Sequence, residues 1–172
     1  MIGVYDVLDS PVGELLVAEI DGKLAAILFA SNSTLSQRFG ELFSYYPKIT
    51  FTKGNVSSAK DISKLLNGEI AENLPISDLV FERCSQFQKA VYEQLLRIPR
   101  GSTKSYGEIA SLIGRPTAYR GVARACKANV LSIVIPCHRV IASDGSLQGY
   151  GGGLDAKRYL LKMERAGCVM KD

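Results

Sequence analysis

The 172-residue chain predicts two folded parts. Residues 1–82 read as an α+β N-terminal domain, a small antiparallel sheet with helices. Residues 83–172 read as a mostly helical C-terminal domain that contains a helix-turn-helix. Three observations carry this. The chain opens with three apolar runs of strand length, two of them joined by Asp21-Gly22. From Phe87 onward the apolar spacing becomes helical, and a Gly-containing turn separates two short helices. The charge balance also reverses, from 6 Lys+Arg against 11 Asp+Glu in residues 1–82 to 15 against 6 in the rest, net −5 and +9.

The elements follow in order. Strands are expected over 4–8, 15–20 and 24–29, with a turn at Ser10-Pro11-Val12-Gly13 and a two-residue hairpin at Asp21-Gly22. A helix follows, with Thr34 as its N-cap and Leu35, Phe39, Leu42 and Phe43 on one face. A short strand covers 49–51, and a helix over 59–67 ends at Gly68. The stretch 69–81, with Pro75, reads as irregular and holds the domain boundary. Phe87, Val91, Leu95 and Ile98 mark a helix that Pro99-Arg100-Gly101 stops. Short helices over 105–113 and 118–128 flank Gly114-Arg115-Pro116-Thr117, and the second carries Arg120, Arg124 and Lys127. Such a pair is either a helix-turn-helix or a plain αα-corner. An apolar run, Ile133-Val134-Ile135, reads as a strand leading into Cys137. A Gly-rich loop over 149–153 and a last helix over 154–165 complete the chain.

Composition bounds the function. Apolar residues make up 47% and charged residues 22%, ordinary for a soluble globular protein. No apolar run reaches the length of a membrane span, and no secretion signal opens the chain, so a cytoplasmic protein with reduced thiols is expected. Cys84, Cys126, Cys137 and Cys168 show no CxxC spacing, and with a single histidine a Cys/His zinc site is not expected. The basic second half points to a polyanionic partner for that half alone.

The chemistry concentrates in Pro136-Cys137-His138-Arg139-Val140, where the chain's one histidine follows a cysteine. A thiolate is the nucleophile, and a neighbouring imidazole favours it. The alternative is a buried cysteine in an apolar strand, and these five residues leave both readings open. In a regular strand adjacent side chains point to opposite faces, so the pair cooperates only if the backbone turns at Pro136. The loop Gly149-Tyr150-Gly151-Gly152-Gly153 lacks P-loop spacing; it either lets backbone and a tyrosine ring approach a planar ligand or is a plain connector.

Together these residues resemble the O6-alkylguanine-DNA alkyltransferases. The similarity covers nearly the whole chain. It is carried by Ser10-Pro11-Val12-Gly13-Glu14-Leu15, Phe87-Gln88 with Val91-Tyr92, Ile98-Pro99-Arg100-Gly101, Ser105-Tyr106-Gly107-Glu108-Ile109-Ala110, Ile135-Pro136-Cys137-His138-Arg139-Val140-Ile141 and Gly149-Tyr150-Gly151-Gly152-Gly153-Leu154-Asp155-Ala156-Lys157. The resemblance implies direct-reversal repair of double-stranded DNA containing O6-alkylguanine. The alkyl group passes to Cys137 once per molecule, in a monomer, without cofactor or metal. His138 and Glu164 match the partners that deprotonate the thiol through a water relay, and Asn129 matches the brace between recognition helix and active site. Tyr106 matches the hydroxyl that turns the 3′ phosphate, and Arg120 the finger that fills the gap left by the flipped nucleotide. Tyr150, Gly151, the Val140 carbonyl and Lys157 match the guanine pocket. Ser105, Arg115, Tyr119, Lys127 and Ser143, with Tyr106, match the DNA-facing surface.

Some positions depart from the family. Val130 stands where proline is usual and Gly151 where serine is common. Tyr119 replaces a small residue, where it either clashes with the groove or adds a contact. Cys126 occupies an apolar position and reads as a small buried hydrophobe. The first domain lacks the zinc ligands of some relatives, and no metal-binding regulatory module is expected ahead of the chain. A non-catalytic alkyltransferase-like lesion binder is the alternative, against which the presence of Cys137 argues. A Cys-His thiol hydrolase is disfavoured, because such enzymes draw the histidine from a distant segment. Without the resemblance, Glu164 reads as a surface ion-pair partner of Arg158 or Lys162.

Overall fold

The computed structural model describes residues 1–30, 33–71 and 74–168, with side chains described up to Arg165. Glu72 and Asn73 of the boundary stretch and the Cys168 side chain thus lie outside the described residues. Strands β1 (Ile2–Leu8), β2 (Leu15–Ile20) and β3 (Lys23–Phe29) form an antiparallel meander. Asp21 and Gly22 both take positive φ, 51° and 71°, as a two-residue hairpin turn demands. Helix α1 (Leu35–Tyr45) begins in a Thr34–Gln37 capping box. It crosses back so that β4 (Thr50–Lys53) joins β1 in parallel, giving the order β3-β2-β1-β4. The sheet is therefore mixed rather than purely antiparallel, because the connection through α1 is long enough to return the chain in the same direction.

Every residue of β2 is buried, so both faces of the sheet are covered. Leu16, Ala18 and Ile20 meet Leu42 and Tyr46 from α1 and its cap. Leu15 and Val17 on the opposite face share a core with helices of the second half. Helix α2 (Ala59–Leu66) docks on that core through Ile62 and Leu66, and its start is held by the buried Glu19 carboxylate, which accepts from the Ser57 and Ser58 N–H groups at 3.0 and 2.7 Å. The stretch read as irregular contains one short helix, α3 (Leu79–Glu82), fixed by burial of Val80.

Helix α4 (Gln86–Leu96) is capped by Ser85 and Gln88 and buries Val91, Tyr92 and Leu95. The two-residue strand β5 (Lys104–Ser105) leads into α5 (Tyr106–Leu112), which starts in a Ser105–Glu108 capping box. Gly114, at φ 73°, turns the chain toward α6 (Tyr119–Lys127). The run 133–135 is not a strand. Ile133 takes φ 77°, the segment forms turns, and a 3-10 turn over Cys137–Arg139 precedes β6 (Val140–Ile141) and α7 (Gly153–Cys168). Left-handed backbone at a β-branched residue costs on the order of 1–3 kcal/mol. Burial of Ile133 and Ile135 and the Asn129 side chain hold it there. The edge of β3 is tied to this region: Ile27 N–H donates to the Val130 carbonyl at 2.8 Å. Parallel pairing of β5 with β6 sets the start of α5 beside the Cys137 turn.

Candidate active site and nucleic-acid interface

Asn129, two residues past the end of α6, organises the Cys137 segment. Its Oδ1 accepts from Leu131 N–H at 2.9 Å, and its Nδ2 donates to the Ile135 carbonyl at 2.9 Å and to Cys137 Sγ at 3.3 Å. One side chain thus satisfies backbone groups that a strand ladder would otherwise pair, and it aims a donor at the sulfur. Cys137 itself is 5% exposed. Burial pushes its thiol up, while the Asn129 hydrogen bond and the nearby Lys157 charge pull the other way.

The turn at Pro136 lets Cys137 and His138 sit in one compact bend, the condition the strand reading lacked. His138 is fully buried, and its Nε2 lies 2.8 Å from Glu164 Oε1. Burial keeps the imidazole below its ordinary range despite the carboxylate, so it is neutral near pH 7. The neutral ring then donates from Nε2 to Glu164 and leaves Nδ1 as an acceptor, and Nδ1 has no hydrogen-bond partner among the described residues. Glu164 is 4% exposed and pairs with neither Arg158 nor Lys162, which corrects the reading that treats it as a surface residue. Burial raises its carboxyl, but the bonds and charges of His138 and Arg139 outweigh this and hold it down to about 2.

Arg139 is the functional residue that sequence reasoning passed over. Its guanidinium grips Glu164 twice, Nε to Oε2 at 3.0 Å and Nη2 to Oε1 at 2.8 Å, and its Nη1 donates to the Ile98 carbonyl at 2.7 Å. The position two residues after Cys137 was the available signal; only the three-dimensional return of α7 shows its partner. Lys157, 1% exposed, donates to the Val140 carbonyl at 2.7 Å and the Gln148 carbonyl at 3.2 Å, so it ties β6 to the Gly-rich loop.

A cleft of about 650 Å³ opens onto Cys137. Its walls are Tyr106 from α5, then Tyr119, Arg120, Ala123, Cys126 and Lys127 from α6, and Gln148, Gly149, Tyr150 and Gly151 from the loop. Tyr150 packs edge-on to Phe29 and to His138, with ring centroids 5.3 and 6.3 Å away, and so closes one side over the histidine. A Cβ on Gly152 would come within 2.6 Å of the Phe29 ring, so the loop can pack this tightly only with glycine there. The Arg120 guanidinium lies over the exposed Tyr119 ring, 5.8 Å from its centroid. Burial pushes the Tyr106 phenol up to about 12, so it remains a donor at neutral pH.

Other anticipated contacts stand elsewhere. The Ser105 hydroxyl accepts from Glu108 N–H as a helix cap. Arg115 in the α5–α6 turn and Ser143 after β6 are exposed and do not line the cleft. Lys127 borders both this cleft and a larger one of about 890 Å³ between α1 and the end of α6. Among the described residues no group of three or more His, Cys, Asp or Glu side chains could hold a metal ion.

Residues 86–166, which contain every cleft and relay residue, match the 6-O-methylguanine DNA methyltransferase DNA-binding domain. The similarity extends over nearly the whole chain. A methylated-DNA–protein-cysteine methyltransferase of Methanosarcina barkeri is 36% identical over 161 residues, 93% of this chain and 96% of that protein. The chain belongs to the 6-O-methylguanine DNA methyltransferase family. Two crystal structures from Mycobacterium tuberculosis agree in fold. The O6-methylguanine methyltransferase superposes with a TM-score of 0.78 at 36% identity, covering 95% of this chain and 93% of that one. The same organism's OGT in complex with DNA gives 0.76 at 36%, covering 97% and 94%. The cysteine, its imidazole–carboxylate neighbours and the tyrosine- and arginine-edged cleft above them all lie within the matched residues 86–166.

Proposed function

We propose that this protein repairs O6-alkylguanine in double-stranded DNA by moving the alkyl group to Cys137, once per molecule. The observation that carries this reading is the arrangement at the cleft floor. A thiol held by Asn129 neighbours a neutral histidine whose Nε2–H is engaged by Glu164 and whose Nδ1 is free to accept.

Guanine O6 is buried in a duplex, so the nucleotide must leave the stack before a fixed sulfur can reach it. Arg120, at the rim on α6, enters the gap left behind. Tyr106 donates to the rotated backbone or to the base. The extruded guanine lies against Tyr150 and Gly151. Its exocyclic amine donates to the Val140 carbonyl, which also accepts from Lys157 Nζ at 2.7 Å and has two lone pairs. His138 takes the thiol proton at Nδ1, through one water, and Glu164 stabilises the imidazolium that forms. The sulfur attacks the saturated carbon of the alkyl group. A carbon–sulfur bond forms as the carbon–oxygen bond breaks, and the electron pair leaves on the base as an anion shared between O6 and N1, which takes a proton at N1 to restore guanine. The thioether has no easy hydrolytic exit, so the molecule is spent. The lesion-binding alternative has no use for a braced thiol beside a relay.

Binding rests on residues 83–172. The basic α6 sits in the minor groove, and Ser105, Arg115, Tyr119, Lys127 and Ser143 face DNA. Phosphate contacts suffice, because a lesion can arise in any sequence. The protein acts as a cytoplasmic monomer, with the domain boundary at 82/83. The test is stoichiometry: incubated with excess methylated duplex, each molecule should restore one guanine, and Cys137→Ser should bind the duplex and restore none. Catalytic turnover, or repair by Cys137→Ser, would overturn the reading.

A further inference from the structure

A second thiol lines the same cleft, and the transfer chemistry leaves it unused. Cys126 stands three residues after Ala123 and six after Arg120, so the helix repeat turns all three toward the cleft. Its carbonyl accepts from Asn129 N–H at 3.3 Å, and Asn129 Nδ2 lies 3.3 Å from Cys137 Sγ. One residue therefore connects the backbone of the first cysteine to the sulfur of the second. Both thiols are free, and burial, with the charge on Cys137 adding to it, holds the Cys126 thiol up. Cys126 lies one residue before the end of α6 and Cys137 opens a short 3-10 turn. Both cysteines thus stand at element ends, where the backbone can adjust toward a disulfide's Cα spacing with little loss of helix.

The relay that draws the proton from the buried Cys137 thiol for attack on carbon serves equally for attack on a peroxide oxygen. We propose that Cys126 is the resolving thiol for oxidised Cys137, closing a reversible Cys126–Cys137 disulfide inside the alkyl-acceptor cleft. This rests on the reading of Cys137 as the activated nucleophile. In the first step the Cys137 thiolate attacks hydrogen peroxide. A sulfur–oxygen bond forms, the oxygen–oxygen bond breaks, and hydroxide leaves to be protonated to water, giving a sulfenic acid. In the second step the Cys126 sulfur attacks the Cys137 sulfur. The sulfur–oxygen bond breaks, and its hydroxyl leaves as water with the Cys126 proton. Two thiols and one peroxide give one disulfide and two waters, and a dithiol reductant reverses the bridge by exchange. The bridge takes Cys137 out of service and guards it from the irreversible sulfinic acid. For a protein that is spent in one reaction, that preserves unused copies.

The experiment treats the full-length wild type, Cys126→Ser and Cys126→Ala with hydrogen peroxide, followed by tryptic mapping without reduction. Transfer from O6-benzylguanine is measured before oxidation, after it and after dithiothreitol, each protein normalised to its own reduced activity. The wild type should yield peptide 125–127 linked to peptide 128–139, lose transfer, and recover it fully on reduction. Both variants should carry Cys137 two oxygens heavier and recover nothing. Sulfinic acid in the wild type to the same extent, or pairing of Cys137 with Cys84 or Cys168, would overturn the switch while transfer by the reduced protein leaves the repair reading standing. A linked peptide in a wild type whose reduced form transfers nothing would support the pairing and overturn the repair reading.

Discussion

Glu164→Gln separates a relay from a structural ion pair. The carboxylate accepts from His138 Nε2 at 2.8 Å and from Arg139 Nε and Nη2 at 3.0 and 2.8 Å, all at 4% exposure. Glutamine keeps the shape and one carbonyl acceptor, but its amide has no charge to set against the imidazolium formed during proton transfer. A hydrogen bond to a charged group contributes about 1.5–3 kcal/mol. Losing about 2–3 kcal/mol in the transition state slows transfer roughly 30- to 150-fold. The loss should be largest near neutral pH. Burial and the missing carboxylate both disfavour the Cys137 thiolate, and rising pH supplies that thiolate directly, so the gap to wild type should close in alkali. The assay is single-turnover reaction with O6-benzylguanine from neutral to alkaline pH, with the circular dichroism spectrum confirming the fold. A folded variant with a wild-type profile would refute the relay and leave Glu164 as an anchor for Arg139 alone.

Further outcomes follow from the same geometry. Arg120→Ala should slow repair of duplex DNA far more than reaction with free O6-benzylguanine, since Arg120 stands at the cleft rim and not at the sulfur; equal slowing would place its effect in the pocket. DNA affinity should fall steeply with salt, and Lys127→Ala or Arg115→Ala should flatten the log–log slope by about 1 each; an unchanged slope in both would remove them from the interface. Acid should destabilise the fold early. The buried His138 refuses a proton that the unfolded chain takes up below its ordinary 6.5, and Glu164 refuses one below 4.5, so stability is complete above the first value and declines through both. Urea midpoints that stay level from neutrality to about pH 4 would contradict this.

Local signals made most of the fold legible. Asp21-Gly22 set the hairpin, and Thr34, Ser85 and Ser105 each begin a helix with the capping geometry their side chains favour. The misreadings lie where long-range contacts overrule local pattern. The apolar run 133–135 has strand composition, yet Asn129 takes the backbone bonds a partner strand would have made. The short pairing of β5 with β6 joins segments too distant in sequence for any local cue. At the site, the Cys137–His138 pair was legible because the two residues are adjacent in the chain, whereas Asn129 entered through family resemblance. Glu164 was placed through family resemblance, since its exposed neighbours Arg158 and Lys162 offered a simpler partner. The Arg139 grip on it, and the tie from Lys157 to two carbonyls, depend on how α7 packs back against the Cys137 turn.

The most direct test of the account is the mass of the intact protein after reaction with duplex DNA containing O6-methylguanine, followed by peptide mapping. The account predicts a gain of one methyl group per chain, carried on Cys137 within the 128–139 peptide, with no further guanine restored once that mass is reached. Continued repair by unmodified protein, or a methyl group found on Cys126 or Cys84 instead, would contradict it.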